Sequence, residues 1–222
     1  MDRDVGHVRE RLMTPRSAAI AGIVFSLLLM ASLILIRLSV PADPGESAQL
    51  MTSTVLSSRV LLALNMVPFS GIAFLWFIGV IRDLIGEQED KFFSTVFLGS
   101  GFLFVAMLFA SAAVAGGLLA SFSAMPSEQV NPAVFNFGRA VTYFTLNVFA
   151  MKMAGVFIIS TCTIGLRTET IPKWLIILGY IIAAVLLLSF IYVEILALLF
   201  PLWVLILSAQ ILIINYRHRT LS

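Results

Sequence analysis

Lys152 carries the sharpest chemical signature in this chain. It lies within Phe149-Ala150-Met151-Lys152-Met153-Ala154-Gly155, near the middle of an apolar run from Arg139 to Gly165. An ammonium at that depth costs at least about 2.5–3.5 kcal/mol on insertion scales and is retained where it faces a bundle interior or a wet cavity. No carboxylate lies at a comparable depth, so three readings stand open: an amine left neutral by desolvation, an ammonium capped by carbonyls and by Asn147, Asn65 or Ser160, or a side chain that snorkels toward an interface. Only the first two place chemistry at midspan.

Asn65 and Asn147 each fall about two turns inside an apolar segment. An amide at that depth joins helices by hydrogen bonds worth about 0.6 kcal/mol on average, or lines a polar cavity together with Ser70, Thr145 and Lys152. Glu194 sits at a turn between apolar segments, where Arg37, Arg59 or Arg139 can pair with it. Such an interfacial pair orients helices more than it stabilises them.

Several chemistries lack their residues. The only histidines, His7 and His218, fall near the chain ends, and neither HExxH, GxSxG nor GxxxxGK[ST] occurs. No bound metal, haem or phosphate-loop chemistry is therefore expected, and no cofactor. The one cysteine, Cys162, lies in an apolar segment and reads as a small core filler. An enzyme is not expected, and nothing supports nucleic-acid binding.

These residues must be held by helices in lipid. The chain is 60% hydrophobic and 12% charged, with a mean hydropathy of +1.03, whereas ordinary soluble domains carry about 25% charge. Crossing a hydrocarbon core about 30 Å thick takes about 20 apolar residues. Six stretches qualify, at 17–38, 59–80, 92–120, 139–165, 174–191 and 195–214. Runs this long without period-2 alternation exclude a barrel. The expected fold is an all-α membrane protein, a six-helix transmembrane bundle over 17–214 with a tail at 1–16 and another at 215–222. The first segment exceeds a signal peptide's apolar run and reads as an uncleaved anchor.

Lysine and arginine set the orientation. Arg3, Arg9, Arg11, Arg16, Arg82, Lys91, Arg167, Lys173, Arg217 and Arg219 fall on one side, whereas Arg37, Arg59 and Arg139 fall on the other. Both termini are therefore expected in the cytoplasm, in a plasma or inner membrane.

Packing signals complete the reading. The third segment pairs small residues four apart: Ala106 with Ala110, Ser111 with Ala115, Ala112 with Gly116, and Ala113 with Gly117. Small faces let a second backbone approach closely, which predicts a centrally packed third helix. Pro68 and Pro201 predict kinks in the second and sixth helices. The short link near Tyr192 to Ile195 predicts that the fifth and sixth helices form a hairpin. Besides the lipid bilayer, the partner is expected to be a second copy or another membrane protein. The expected role is an accessory, assembly or regulatory membrane subunit. The alternative is a small channel or transporter with a polar path around Lys152, Asn147 and Asn65.

Overall fold

A computed structural model of the chain describes residues 2–39, 54–85, 91–123, 131–189 and 194–220, with side chains described for 17–36, 58–82, 92–121, 131, 133–189 and 195–214. The described residues are helical, with no strand among them. In chain order they form α1 (Asp2–Ser39), α2 (Thr54–Ile85), α3 (Lys91–Ser123), α4 (Pro132–Phe144), a π turn (Thr145–Ala150), α5 (Met151–Arg167), α6 (Lys173–Leu188), a 3-10 turn (Glu194–Leu198) and α7 (Leu199–Thr220).

Five of these runs are long and apolar enough to cross a membrane: Ser17–Ile36, Ser58–Arg82, Phe92–Ser121, Ala133–Arg167 and Ile195–Ile214. The fifth apolar segment is the exception. Among its described residues the helix runs Lys173–Leu188, 16 residues, which rises about 24 Å at 1.5 Å per residue. Ser189 turns to extended backbone with ψ 115°, although the apolar sequence continues. The link between α6 and α7 at residues 190–193 lies outside the described residues.

With α4, the π turn and α5 counted as one continuous run, successive runs pack antiparallel, and α7 packs on α1. The hydroxyl bonds of the first pair show the direction: Ser32 Oγ donates to the Ala63 carbonyl at 2.8 Å and Ser70 Oγ to the Phe25 carbonyl at 3.3 Å. As α1 advances, α2 runs back. The resulting ring has two ends. Ser17, Arg82, Phe92, Arg167, Lys173 and Ile214 gather at one, called the near end here. Ile36, Ser58, Ser121 and Ile195 gather at the other, the far end.

Five phenylalanines close the axis between them, one each from α1, α2, α3, α5 and α7. Phe25, Phe74, Phe104, Phe157 and Phe200 are fully buried. Their neighbouring ring centroids lie between 4.5 and 6.2 Å apart, mostly tilted or edge-on. These arrangements set a ring's positive edge against a negative face. They matter more in lipid, where apolar burial alone does not drive helices together.

Two glycines bring α6 in. A Cβ at Gly155 would lie 3.3 Å from the Ala183 carbonyl oxygen, and one at Gly179 would overlap Cys162 Sγ and lie 2.9 Å from Trp203 Nε1. Trp203 also donates from Nε1 to the Leu175 carbonyl at 3.4 Å, joining α7 to α6. At the near end Arg167 stacks over Phe93, 4.6 Å from the ring centroid, a contact worth about 0.5–1 kcal/mol at exposed sites.

Two sequence expectations resolve differently. The third helix is not the most enclosed: 28% of its most apolar window is buried, against 61% for Ala133–Arg167. α3 packs on α2 on one side and on α4, the π turn and α5 on the other, which leaves it an outward face. Pro68 lies inside α2, as its place in the apolar run implied. Pro201 falls in the first turn of α7 rather than in a helix interior. Proline there removes an N–H that lacks an intrahelical partner anyway. The turn its ring would crowd, around Ala197, is the 3-10 turn Glu194–Leu198.

Candidate functional site

The early end of α6 sets up the site. A helix leaves its last four carbonyls without amide partners and its C-terminus partly negative. Leu187 carries one of those carbonyls, and Lys152 Nζ donates to it at 3.1 Å. Lys152 is half-buried, one residue into α5. The chain thus places its midspan cation against the end of a short helix, where the dipole favours positive charge.

Just before α5, the helix widens. Met151 N–H reaches the Leu146 carbonyl, five residues back, so one extra residue enters the turn Thr145–Ala150. Single π turns of this kind occur often at functional sites. This one contains Asn147 and ends two residues before Lys152. The run begins with a built cap at the far end: Asn131 Oδ1 accepts from Ala133 N–H at 2.9 Å, and Pro132 occupies the first helical turn.

Toward the far end lies a cavity of about 190 Å³. One wall is a single face of α4 and the π turn, where Arg139, Tyr143 and Asn147 follow at four-residue intervals. The other walls are apolar, with Leu29 and Ile36 from α1, Val67 from α2 and Leu108 from α3. No residue of α6 is among those lining it. Two wall hydroxyls are committed to the fold: Ser32 to the Ala63 carbonyl, and Ser111 to the Thr142 carbonyl at 2.9 Å.

The sequence-derived residues occupy separate places. Asn65 is exposed on α2 and donates to the Leu61 carbonyl at 2.9 Å. Asn147 lines the cavity and donates to the Tyr143 carbonyl at 3.2 Å. Ser160 donates to the Val156 carbonyl at 2.9 Å. Each of the three therefore bonds one turn back in its own helix, while Lys152 reaches across to α6. Arg59 is exposed and Arg139 half-buried in the cavity wall. The side chains of Glu194 and Arg37 lie outside the described residues, and so does their pairing.

The small residues of α3 divide by face. Ser111 is buried, and Ala112, Ala115 and Gly116 are partly buried. Ala106, Ala110, Ala113 and Gly117 are exposed, and a Cβ on Gly117 would meet nothing within 4 Å. Spacing showed the ladder but not which face turns inward.

Sequence reasoning missed the five-ring cluster, and of the residues it offered for a polar cavity only Asn147 lines the one found. The chain's 18 phenylalanines were the available signal, but apolar residues recur all round these helices and give no face. Chemically, the arrangement is suited to binding. Among the described residues no three His, Cys, Asp or Glu side chains come together. Cys162 is buried against Gly179. The architecture defines a helical bundle with at least five helices of membrane-crossing length. In comparisons with known proteins, the chain matches no family model, no curated protein and no solved structure.

Proposed function

We propose that this chain is an accessory or assembly subunit of a plasma or inner membrane, with its near end in the cytoplasm and a partner helix seated on α3. One observation carries the reading: Ala106, Ala110, Ala113 and Gly117 form a ladder of small side chains on an outward face. Against lipid a small residue gains nothing over leucine. Against a second helix it permits close backbone approach, the main source of helix association in a bilayer. The cation bias of the near end supports its assignment to the cytoplasm.

The channel or transporter reading has less support. Its three polar residues bond separately, and five rings fill the axis between the two ends. The bundle uses its aromatic residues to pack itself.

Disulfide trapping in native membranes tests the subunit role. With Cys162→Ala as background, Ala113→Cys should give a crosslinked species of defined mass, a second copy or another membrane protein, that Ile177→Cys on exposed α6 does not give. Ala110→Phe should abolish it by holding the backbones apart. Equal trapping at positions 113 and 177 would reject the face as an interface.

A further inference from the structure

α2 carries two stripes. Ala63, Val67, Ser70, Phe74, Phe77 and Ile81 are buried in the bundle. On the opposite side of the helix lie Leu62, Asn65, Phe69, Ile72, Trp76 and Gly79, all exposed, with Phe69 at 65% and Trp76 at 71%. Their spacing alternates between three and four residues, the repeat that keeps two helices in contact along a shared seam. A straight helix facing lipid has such an outward line in any case. Asn65 is what sets this one apart.

An amide offers two N–H donors and a carbonyl acceptor. Asn65 commits one donor to the Leu61 carbonyl, at 2.9 Å, and its Oδ1 has no partner among the described residues. Seven residues, about 10 Å, separate it from the far-end limit of the apolar run Ser58–Arg82. In hydrocarbon no water supplies the missing partners, and an amide left without them is costly. A polar side chain on a lipid-facing helix is satisfied by a second helix that brings its own donor and acceptor to the same depth.

The chemistry selects the occupant. Copies of one chain share an orientation in the membrane, so a two-fold axis along the membrane normal sets Asn65 of each at one level. The contact is isologous, and each residue of the seam meets its own kind. An amide suits that arrangement, because its N–H and its carbonyl complement those of an identical amide. Nothing else on the seam opposes it: Leu62, Phe69, Ile72 and Trp76 carry no charge, and a Cβ on Gly79 would meet nothing within 4 Å, which leaves room beside Trp76 for a second helix. A single amide in an otherwise apolar seam also fixes register, the best-attested use of such a residue.

We propose that the outward stripe of α2 is a homodimer interface, with Asn65 of the two copies hydrogen-bonded to each other across a two-fold axis. This contact is separate from the partner face on α3 and does not depend on it.

The test uses the full-length protein with Cys162→Ala as background. Under oxidising conditions in native membranes, Leu62→Cys and Ile72→Cys should each give a species of twice the chain mass, and Ile181→Cys on exposed α6 should not. Energy transfer between labelled copies in phosphatidylcholine vesicles, read over graded protein-to-lipid ratios, gives the strength of association. Asn65→Leu should weaken it about sevenfold, the effect of two interhelical bonds of about 0.6 kcal/mol each, while Asn65→Gln, which keeps an amide on the seam, should stay within about twofold of the unmodified protein. Ala110→Phe on α3 should leave the position-72 product unchanged. Equal trapping at 62, 72 and 181, a product of some other mass, association indifferent to Asn65→Leu, or loss of the position-72 product in Ala110→Phe would each overturn the proposal. The last would assign the contact to α3, whereas trapping at 113 without trapping at 72 would reject this interface and leave the α3 reading standing.

Discussion

The near and far halves of the bundle are built from the same helices but held by different means. Toward the near end, five helices contribute one buried ring each, and Gly155 and Gly179 let α6 close on α5 and α7. Toward the far end the described residues show single hydroxyl bonds between helices, a π turn and a cavity. In lipid, where burial adds little, tight packing is the source of rigidity and its omission leaves room for a ligand. The molecule thus has a tightly packed half and a half that holds a cavity.

The sharpest way to break that division is Phe74→Ala. Phe74 touches all four other rings of the cluster, so its removal should cost about 3–5 kcal/mol through lost contacts and a residual void. Unfolding of purified protein by a graded denaturing detergent measures it. A cost below about 1 kcal/mol, the scale of a surface substitution, would show that the cluster does not hold the bundle.

Lys152 sits on the boundary and should have the next largest effect. Lys152→Met leaves the half-buried Leu187 carbonyl without this donor, a loss of about 1 kcal/mol, the net worth of a typical hydrogen bond. Lys152→Arg should recover most of it by restoring a cation at the helix end. Hydrogen exchange should show faster opening of the last turn of α6 in Lys152→Met alone. If Met and Arg behave alike, the cation is not a cap.

The smallest effect belongs to the far half. Ser111→Ala deletes one bond from α3 to the Thr142 carbonyl and should cost about 0.6 kcal/mol, the average for such bonds in membranes. The same detergent titration reads it. A cost equal to that of Phe74→Ala would erase the contrast between the halves.

How much of this was legible beforehand depends on the element. The apolar runs gave the existence and apolar stretches of α1, α2 and α3 but not where those helices begin, because length and hydropathy report on what lipid tolerates and not on the polar turns beyond it. At α6 they gave the helix through Leu188 but not the extended backbone at Ser189, because hydropathy does not register a change in backbone dihedrals. Lys152 stood out by its cost alone. Its acceptor, 35 residues away on another helix, left no mark in the sequence.

The sequence by itself determined the solvent, the helical class, the side favoured by its cations and the presence of one expensive charge at midspan. These follow from composition and spacing, which need no neighbours. Tertiary structure decided which small residues of α3 face inward, which five phenylalanines meet, what Lys152 caps and where a cavity opens. The physical reason is that an apolar helix in lipid has no solvent-facing stripe to fix its rotation. Only contact with the other helices chooses its face, and that choice turns Arg139, Tyr143 and Asn147 into one wall.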